Sequence, residues 1–162
     1  GYITFSYPAI MNGNEFYEVR LTVEKGRIVD VSCKNEEMLD TLLSYVDTDA
    51  GSRYFGEVAI GTNYGIQRHT KNILFDEKIG GSMHMAIGEA FREAGGKNES
   101  AIHWDMINDM TREGKIYADG ELFYENGKFK EEIVQSERFP TPWKNKSKSM
   151  PFQLPPRWKP YS

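Results

Sequence analysis

The chain has 162 residues, enough for one domain with a real core, and its formal charge of −4 excludes the strongly basic surface of a nucleic-acid binder. No apolar run approaches the roughly 20 residues of a membrane-spanning helix, and the opening residues lack the basic-then-apolar pattern of a secretory leader. A single cysteine, Cys33, has no intrachain disulfide partner, so a reducing, cytoplasmic setting is expected, with Cys33 as a small strand residue.

In chain order, YITFSY at residues 2–7 has strand composition and is stopped by Pro8, and MNGN at residues 11–14 is a turn. Residues 15–23 alternate as a strand, Glu24-Lys25-Gly26 turns the chain, and residues 27–33 return, which makes a hairpin with an apolar inner face. Asn35 is a candidate helix N-cap, with Glu36 and Glu37 in the first turn. Met38, Leu39, Leu42, Leu43 and Val46 follow at helical spacing, so residues 36–46 are predicted to form an amphipathic helix whose apolar stripe is core. Residues 49–55 are predicted as a second, short helix. The glutamates of the first hairpin, Glu15, Glu18 and Glu24, are taken as solvated strand charges.

Residues 56–105 hold all three histidines and are dense in glycine. GEVAIG is a short strand with Glu57, Ala59 and Gly61 on one face and Val58 and Ile60 packing opposite. The small neighbours of Glu57 leave room above its carboxylate for a metal or a substrate. Residues 63–72 form a loop, with His69 at the surface among polar and basic residues. Asp76 and Glu77 fall in a loop before Gly80-Gly81, where they either orient metal ligands or form a surface cluster with Lys78. SMHMAIG alternates and sends His84 to the face of Ser82 and Ala86. Residues 89–94 form one helical turn, closed by Gly95-Gly96. SAIHWDMI alternates too, which sets His103 beside Asp105 on one face and Ile102, Trp104 and Met106 on the other. Imidazole beside carboxylate suits a divalent metal such as Zn, Co or Mn; a hydrogen-bonded His/Asp pair is the alternative.

After Asp109 the chain turns to hairpins. Residues 115–118 and 121–124 are short strands around Asp119-Gly120, and Asn126-Gly127 leads into residues 128–134. The expected fold class is α+β, a mostly antiparallel sheet curling toward a barrel, with one or two helices. Residues 1–135 are taken as the domain and residues 136–162 as a tail rich in Pro, aromatic and basic residues, either extended or disordered, or docked on the domain or a partner.

The motifs GEVAIGTN, NILFDEKIGG, the histidine of GGSMHMAIG, and GGKNESAIHWD resemble, in content and order, the thermophilic metalloaminopeptidases of the aminopeptidase T and aminopeptidase S type. The resemblance covers residues 1–134. It implies a metal-dependent aminopeptidase acting on peptide substrates with two divalent ions, a homodimer with an enclosed site, and a preceding domain in the full protein. Carried over by motif, the ligands are Glu57, His84, His103 and Asp105, with Glu57 bridging and catalytic. Two departures stand out. The family's other metal-binding glutamate, in an EVFTAP-like motif upstream of the matched part, is absent. The tyrosine that the family places seven residues after the first metal histidine is Phe91 here, which has no hydroxyl. With a start at Gly1, the chain is expected to be the C-terminal piece of a longer protein, or a longer protein cut to one domain. A non-catalytic domain that keeps the fold for assembly or binding is the alternative function.

Overall fold

The computed structural model describes residues 1–130 apart from residue 67. The expected strand beyond residue 130 and the tail from residue 136 lie outside the described residues.

The first half is built from short antiparallel strands. β1 (Tyr2–Thr4) is followed by β2 (Ala9–Met11) and β3 (Asn14–Phe16), which pair across Asn12-Gly13. β4 (Arg20–Glu24) and β5 (Arg27–Ser32) pair across Lys25-Gly26 and, with β1, form a sheet of order β1-β4-β5. The strand expected over residues 15–23 is therefore two strands. Glu18 has φ 49°, which no strand accommodates, and the chain turns between Phe16 and Arg20. Alternation of side chains along the stretch conceals this break.

The helix expected over residues 36–46 forms, first as a 3-10 turn over Glu36–Met38 and then as α1 (Leu39–Val46), with Leu42 and Val46 buried. Asn35 makes no cap. Its Oδ1 accepts from the Tyr17 amide at 3.1 Å and its Nδ2 donates to the Glu15 carbonyl at 3.0 Å, which ties the helix entry to the break between β3 and β4. The helix expected over residues 49–55 does not form. Asp49 Oδ1 accepts from the amides of Gly51 at 2.8 Å and Ser52 at 2.9 Å, and this side-chain turn takes the donors that a helix would use. β6 (Phe55–Ile60) begins directly after it. α2 (Ile73–Asp76) adds one short turn before the next strand.

β7 (Ser82–Gly88) and β8 (His103–Asp109) join β6 in an antiparallel sheet of order β6-β7-β8. β9 (Lys115–Ala118), β10 (Glu121–Glu125) and β11 (Lys128–Phe129) complete the described chain as a meander. Its turns, Asp119-Gly120 and Asn126-Gly127, have both central residues at positive φ, the geometry whose twist matches that of the flanking strands. The class is α+β as expected, but no barrel closes among the described residues. Among the described residues the sheet β1-β4-β5 reaches the start of β6 through the isolated bridge Arg27↔Tyr54, which is not the continuous ladder that closure requires.

The core gathers Phe5, Phe16, Leu21, Ile28, Leu42, Val46, Ile87, Trp104 and Met106. Trp104 is its pivot: its ring meets Phe16 at 5.6 Å and Tyr45 at 5.9 Å, both edge-on. Because Trp104 lies between His103 and Asp105 on β8, packing of this ring fixes which face those two side chains take. Val58 departs from expectation. It is 62% exposed, because β6 is the outer strand of its sheet and Val58 lies outside the core cluster. Truncation of the pivot, Trp104→Ala, should cost about 3–5 kcal/mol. Urea unfolding of the metal-free protein measures this, and a loss under about 1 kcal/mol would place the core elsewhere.

Candidate metal centre

Register places the site. Glu57 on β6 and Asp105 on β8 both stand opposite Ala86 of β7, and His84 stands one same-face step along, between Ala59 and Ile107. Directly paired residues share a sheet face. Glu57, His84 and Asp105 therefore converge, and the methyl group of Ala86 leaves the space between the two carboxylates open. His103 opens β8 opposite Gly88. Gly88 has φ +94°, and a Cβ there would lie 2.1 Å from the Ile102 carbonyl oxygen, so only glycine lets the chain before His103 pass so close.

The four side chains form an alternating ring. His84 Nε2 lies 3.2 Å from Glu57 Oε1 and 3.8 Å from Asp105 Oδ1. His103 Nε2 lies 3.5 Å from Glu57 Oε2 and 3.6 Å from Asp105 Oδ2. Each carboxylate turns one oxygen to each histidine. Ligand atoms of Glu57, His84 and Asp105 all fall within 4.8 Å of one another. The Glu89 carbonyl lies 2.7 Å from His103 Nδ1. A carbonyl only accepts, so Nδ1 carries the proton and Nε2 turns its lone pair into the ring. His84 and Asp105 form a closed floor, each with 8% of the side chain exposed, whereas Glu57 at 26% and His103 at 34% form an open rim.

The electrostatics favour a cation. Burial opposes a charge on His84, but the hydrogen bond to Glu57 and the charges of Asp105, Glu57 and Glu77 outweigh it and hold the imidazolium above its ordinary value. The His84 hydrogen bond pulls the Glu57 carboxyl down, aided by the charges of both histidines. Burial pushes the Asp105 carboxyl up, despite the histidines beside it. Asp105 Oδ1 and His84 Nδ1 are buried without a hydrogen-bond partner. A buried acceptor with no donor costs roughly 1–3 kcal/mol, and a cation held beside Asp105 Oδ1 would remove that cost. The donor set of two imidazoles and two carboxylates fits Zn, Co or Mn.

The family model of thermophilic metalloproteases, M29, matches residues 1–129. The chain belongs to that family. The resemblance read from the motifs is thus borne out. Among relatives of this M29 chain, aminopeptidase AmpS of Bacillus subtilis is 37% identical over 149 residues, covering 78% of this chain and 35% of that protein. Aminopeptidase T of Thermus thermophilus is 32% identical over 139 residues, covering 74% of this chain and 33% of that protein. The solved structure of wild-type AmpT from Thermus thermophilus superposes with a TM-score of 0.65 at 28% identity, covering 80% of this chain and 36% of that one. A 2,5-dihydroxypyridine dioxygenase from Pseudomonas putida superposes at 0.57 with 20% identity, covering 81% of this chain and 40% of that one, and shares the fold alone. The chain spans about a third of the length of these M29 relatives.

Other residues singled out in the M29 motifs lie apart from the ring or at its edge. Asp76, 1% exposed, binds His69 Nε2 at 3.1 Å and accepts from the amide and hydroxyl of Thr70 at 2.7 and 2.8 Å. His69 is thus not the surface residue expected: it stacks on Tyr7 with ring centres 4.9 Å apart and is 16% exposed. Glu77 pairs with Lys78, and its charge reaches both His84 and Asp105. Phe91 is 55% exposed in the turn after β7, two residues past Glu89. Glu89 itself was not singled out, since it holds His103 through its main chain, which leaves no mark on side-chain type. In the metal-free protein the His84 imidazolium should titrate above about 6.5, and Glu57→Gln should bring it down by removing the hydrogen-bonding charge. A raised folded-state value stabilises the fold below the unfolded-state value, and that contribution is lost as pH rises through the folded one. Histidine NMR titration reads this directly; a His84 value at or below that of a free imidazole would refute the arrangement.

Proposed function

We propose that this chain forms the catalytic part of a metal-dependent aminopeptidase, with Glu57, His84, His103 and Asp105 holding two divalent ions of Zn, Co or Mn. The observation that carries the reading is the alternating ring. Each histidine faces one oxygen of Glu57 and one of Asp105, and ligand atoms of Glu57, His84 and Asp105 lie within 4.8 Å of one another, which supports cation binding at this ring. The aminopeptidase names of the relatives support the reaction class. Divalent ions held there lower the pKa of a water and polarise a peptide carbonyl.

The chain's own residues set the conditions for that chemistry. Asp105 and His84 form the buried floor, which keeps bulk water from one side of the ring. Glu57, the more exposed carboxylate, faces the open rim where a substrate arrives, and its lowered pKa keeps it an acceptor at neutral pH. Asp76 serves the site only at one remove, by fixing the loop before β7, whereas Glu77 acts on the ring through its charge. The resemblance implies a further metal-binding carboxylate, in an EVFTAP-like motif that residues 1–162 do not contain. A homodimer and a cytoplasmic setting rest on the resemblance and on Cys33. Phe91 stands at the position of the family tyrosine, in the exposed turn after β7, and has no hydroxyl.

The test uses the full-length protein. An amino-acid anilide with a free amino group should be hydrolysed, its N-acetylated form should not, and a chelator should abolish turnover until zinc, cobalt or manganese is returned. Metal-loaded protein without turnover would favour the binding-domain alternative. Phe91→Tyr should raise kcat by up to about a hundredfold with little change in Tm, the usual effect of one added oxyanion donor; an unchanged kcat would assign that donor to another group. Protons compete with metal at His84 and Asp105, both held above their ordinary values. Zinc affinity should therefore climb with pH and go on climbing above about pH 6.5. Competitive titration against a chromophoric chelator checks this, and a flat profile across neutral pH would contradict it.

A further inference from the structure

One carboxylate outside the ring anchors the segment that delivers His103. Asp49 lies in the turn between α1 and β6. Its Oδ1 accepts from within that turn, from the amides of Gly51 and Ser52 at 2.8 and 2.9 Å and from the Ser52 hydroxyl at 3.0 Å. Its Oδ2 reaches a segment far along the chain and accepts from the Ala101 amide at 2.6 Å. The Ser100 hydroxyl lies 3.0 Å from both oxygens. Ala101 is two residues before His103.

Further bonds fix the same segment. Asn98 Nδ2 donates to the carbonyls of Gly51 at 2.9 Å and Gly88 at 2.6 Å. Glu89 Oε2 accepts from the Ser100 amide at 2.7 Å, and the Glu89 amide donates to the Ile102 carbonyl at 2.7 Å. Residue 100 is thus held by Asp49 and by Glu89 together, and the same Glu89 accepts from His103 Nδ1 through its carbonyl. The 2.7 Å bond that selects the His103 tautomer survives only while residues 89 and 103 keep their spacing. Among the described residues, Asp49 is the charged acceptor that ties residues 100–101 to the turn before β6, the strand that carries Glu57. The Ala101 amide, joined by Ser100, Ser52 and Gly51, holds its carboxyl at about 2, so it is an anion throughout the neutral range.

We infer that Asp49 is a positioning residue for the metal centre: by clasping Ser100 and Ala101 it fixes the spacing at which the Glu89 carbonyl keeps His103 protonated on Nδ1 and aims Nε2 at Glu57 and Asp105. Its consequence for metal binding rests on the proposed function; its effect on His103 does not. A partner that orients a ligand commonly changes metal affinity by about 10- to 100-fold.

The test is made on the full-length protein, metal-free and labelled with 15N-histidine, at a single pH. Long-range 1H–15N correlations report the tautomer of each ring, assigned with His103→Gln. Asp49→Ala should turn His103 from a single Nδ1-protonated form into a tautomer mixture, leave His69 unmoved, and weaken zinc binding at least about tenfold. Asp47→Ala, which removes the neighbouring ion pair with Arg53 from the same turn, should leave His103 unchanged. Unchanged His103 signals in a folded Asp49→Ala protein would overturn the inference. Should Asp49→Ala not fold, Ser100→Ala removes the hydroxyl that contacts both Asp49 oxygens, and a shifted or unshifted His103 then decides in the same way. Absence of zinc binding in the unsubstituted protein would contradict the aminopeptidase reading, and the tautomer would still decide the role of Asp49.

Discussion

Everything at this site depends on the register of three antiparallel strands. Glu57 and Asp105 meet across Ala86 because β6 and β8 both pair with β7 at that residue. A slip of one residue on any of the three would turn a carboxylate or an imidazole to the opposite face. Trp104 guards against that slip on β8, since its ring has a place only in the core with Phe16 and Tyr45. The same alternation that buries Trp104 and Met106 points His103 and Asp105 into the ring.

Such a ring is an unfavourable thing to build without a positive charge in it. Two carboxylates share two imidazoles, Glu77 adds its field, and Asp105 Oδ1 is buried with no donor. In the metal-free state a proton on His84 offsets part of this charge, which is why its imidazolium is held above the ordinary value. A divalent ion held by these residues would do so more fully and would satisfy the orphaned oxygen, so a proton on His84 and a metal would compete. The surrounding scaffold is correspondingly over-determined. Asp49, Asn98 and Glu89 fix the approach to His103 with bonds of 2.6 to 3.0 Å, and Gly88 lets that segment close onto the sheet.

Much of this was legible in the sequence where side-chain type and period carry the signal. The strand faces that His84, His103, Asp105 and Glu57 take follow from alternation within SMHMAIG, HWD and GEVAIG, their grouping as ligands follows from the resemblance to the family, and the turns at Asp119-Gly120 and Asn126-Gly127 follow from their residue pairs. The failures lie where backbone conformation or a distant partner decides. Nothing in residues 15–23 reveals that Glu18 takes a positive φ. Helix propensity over residues 49–55 loses to the Asp49 carboxylate, whose partners at Ser100 and Ala101 lie some fifty residues away. His69 looks like a surface residue until Tyr7 and Asp76 are brought to it by the fold. A barrel was expected from the number of strands, yet closure depends on ladders between sheets, and strand composition does not encode those.

The central claim is that Glu57, His84, His103 and Asp105 together hold divalent metal. A crystal structure of the full-length protein grown with zinc, with an anomalous difference map collected at the zinc edge, tests it most directly. The account predicts strong peaks within roughly 2 Å of His84 Nε2 and of His103 Nε2, each also in contact with oxygens of Glu57 and Asp105. Zinc bound by other residues, with these four side chains hydrogen-bonded only to one another, would contradict it.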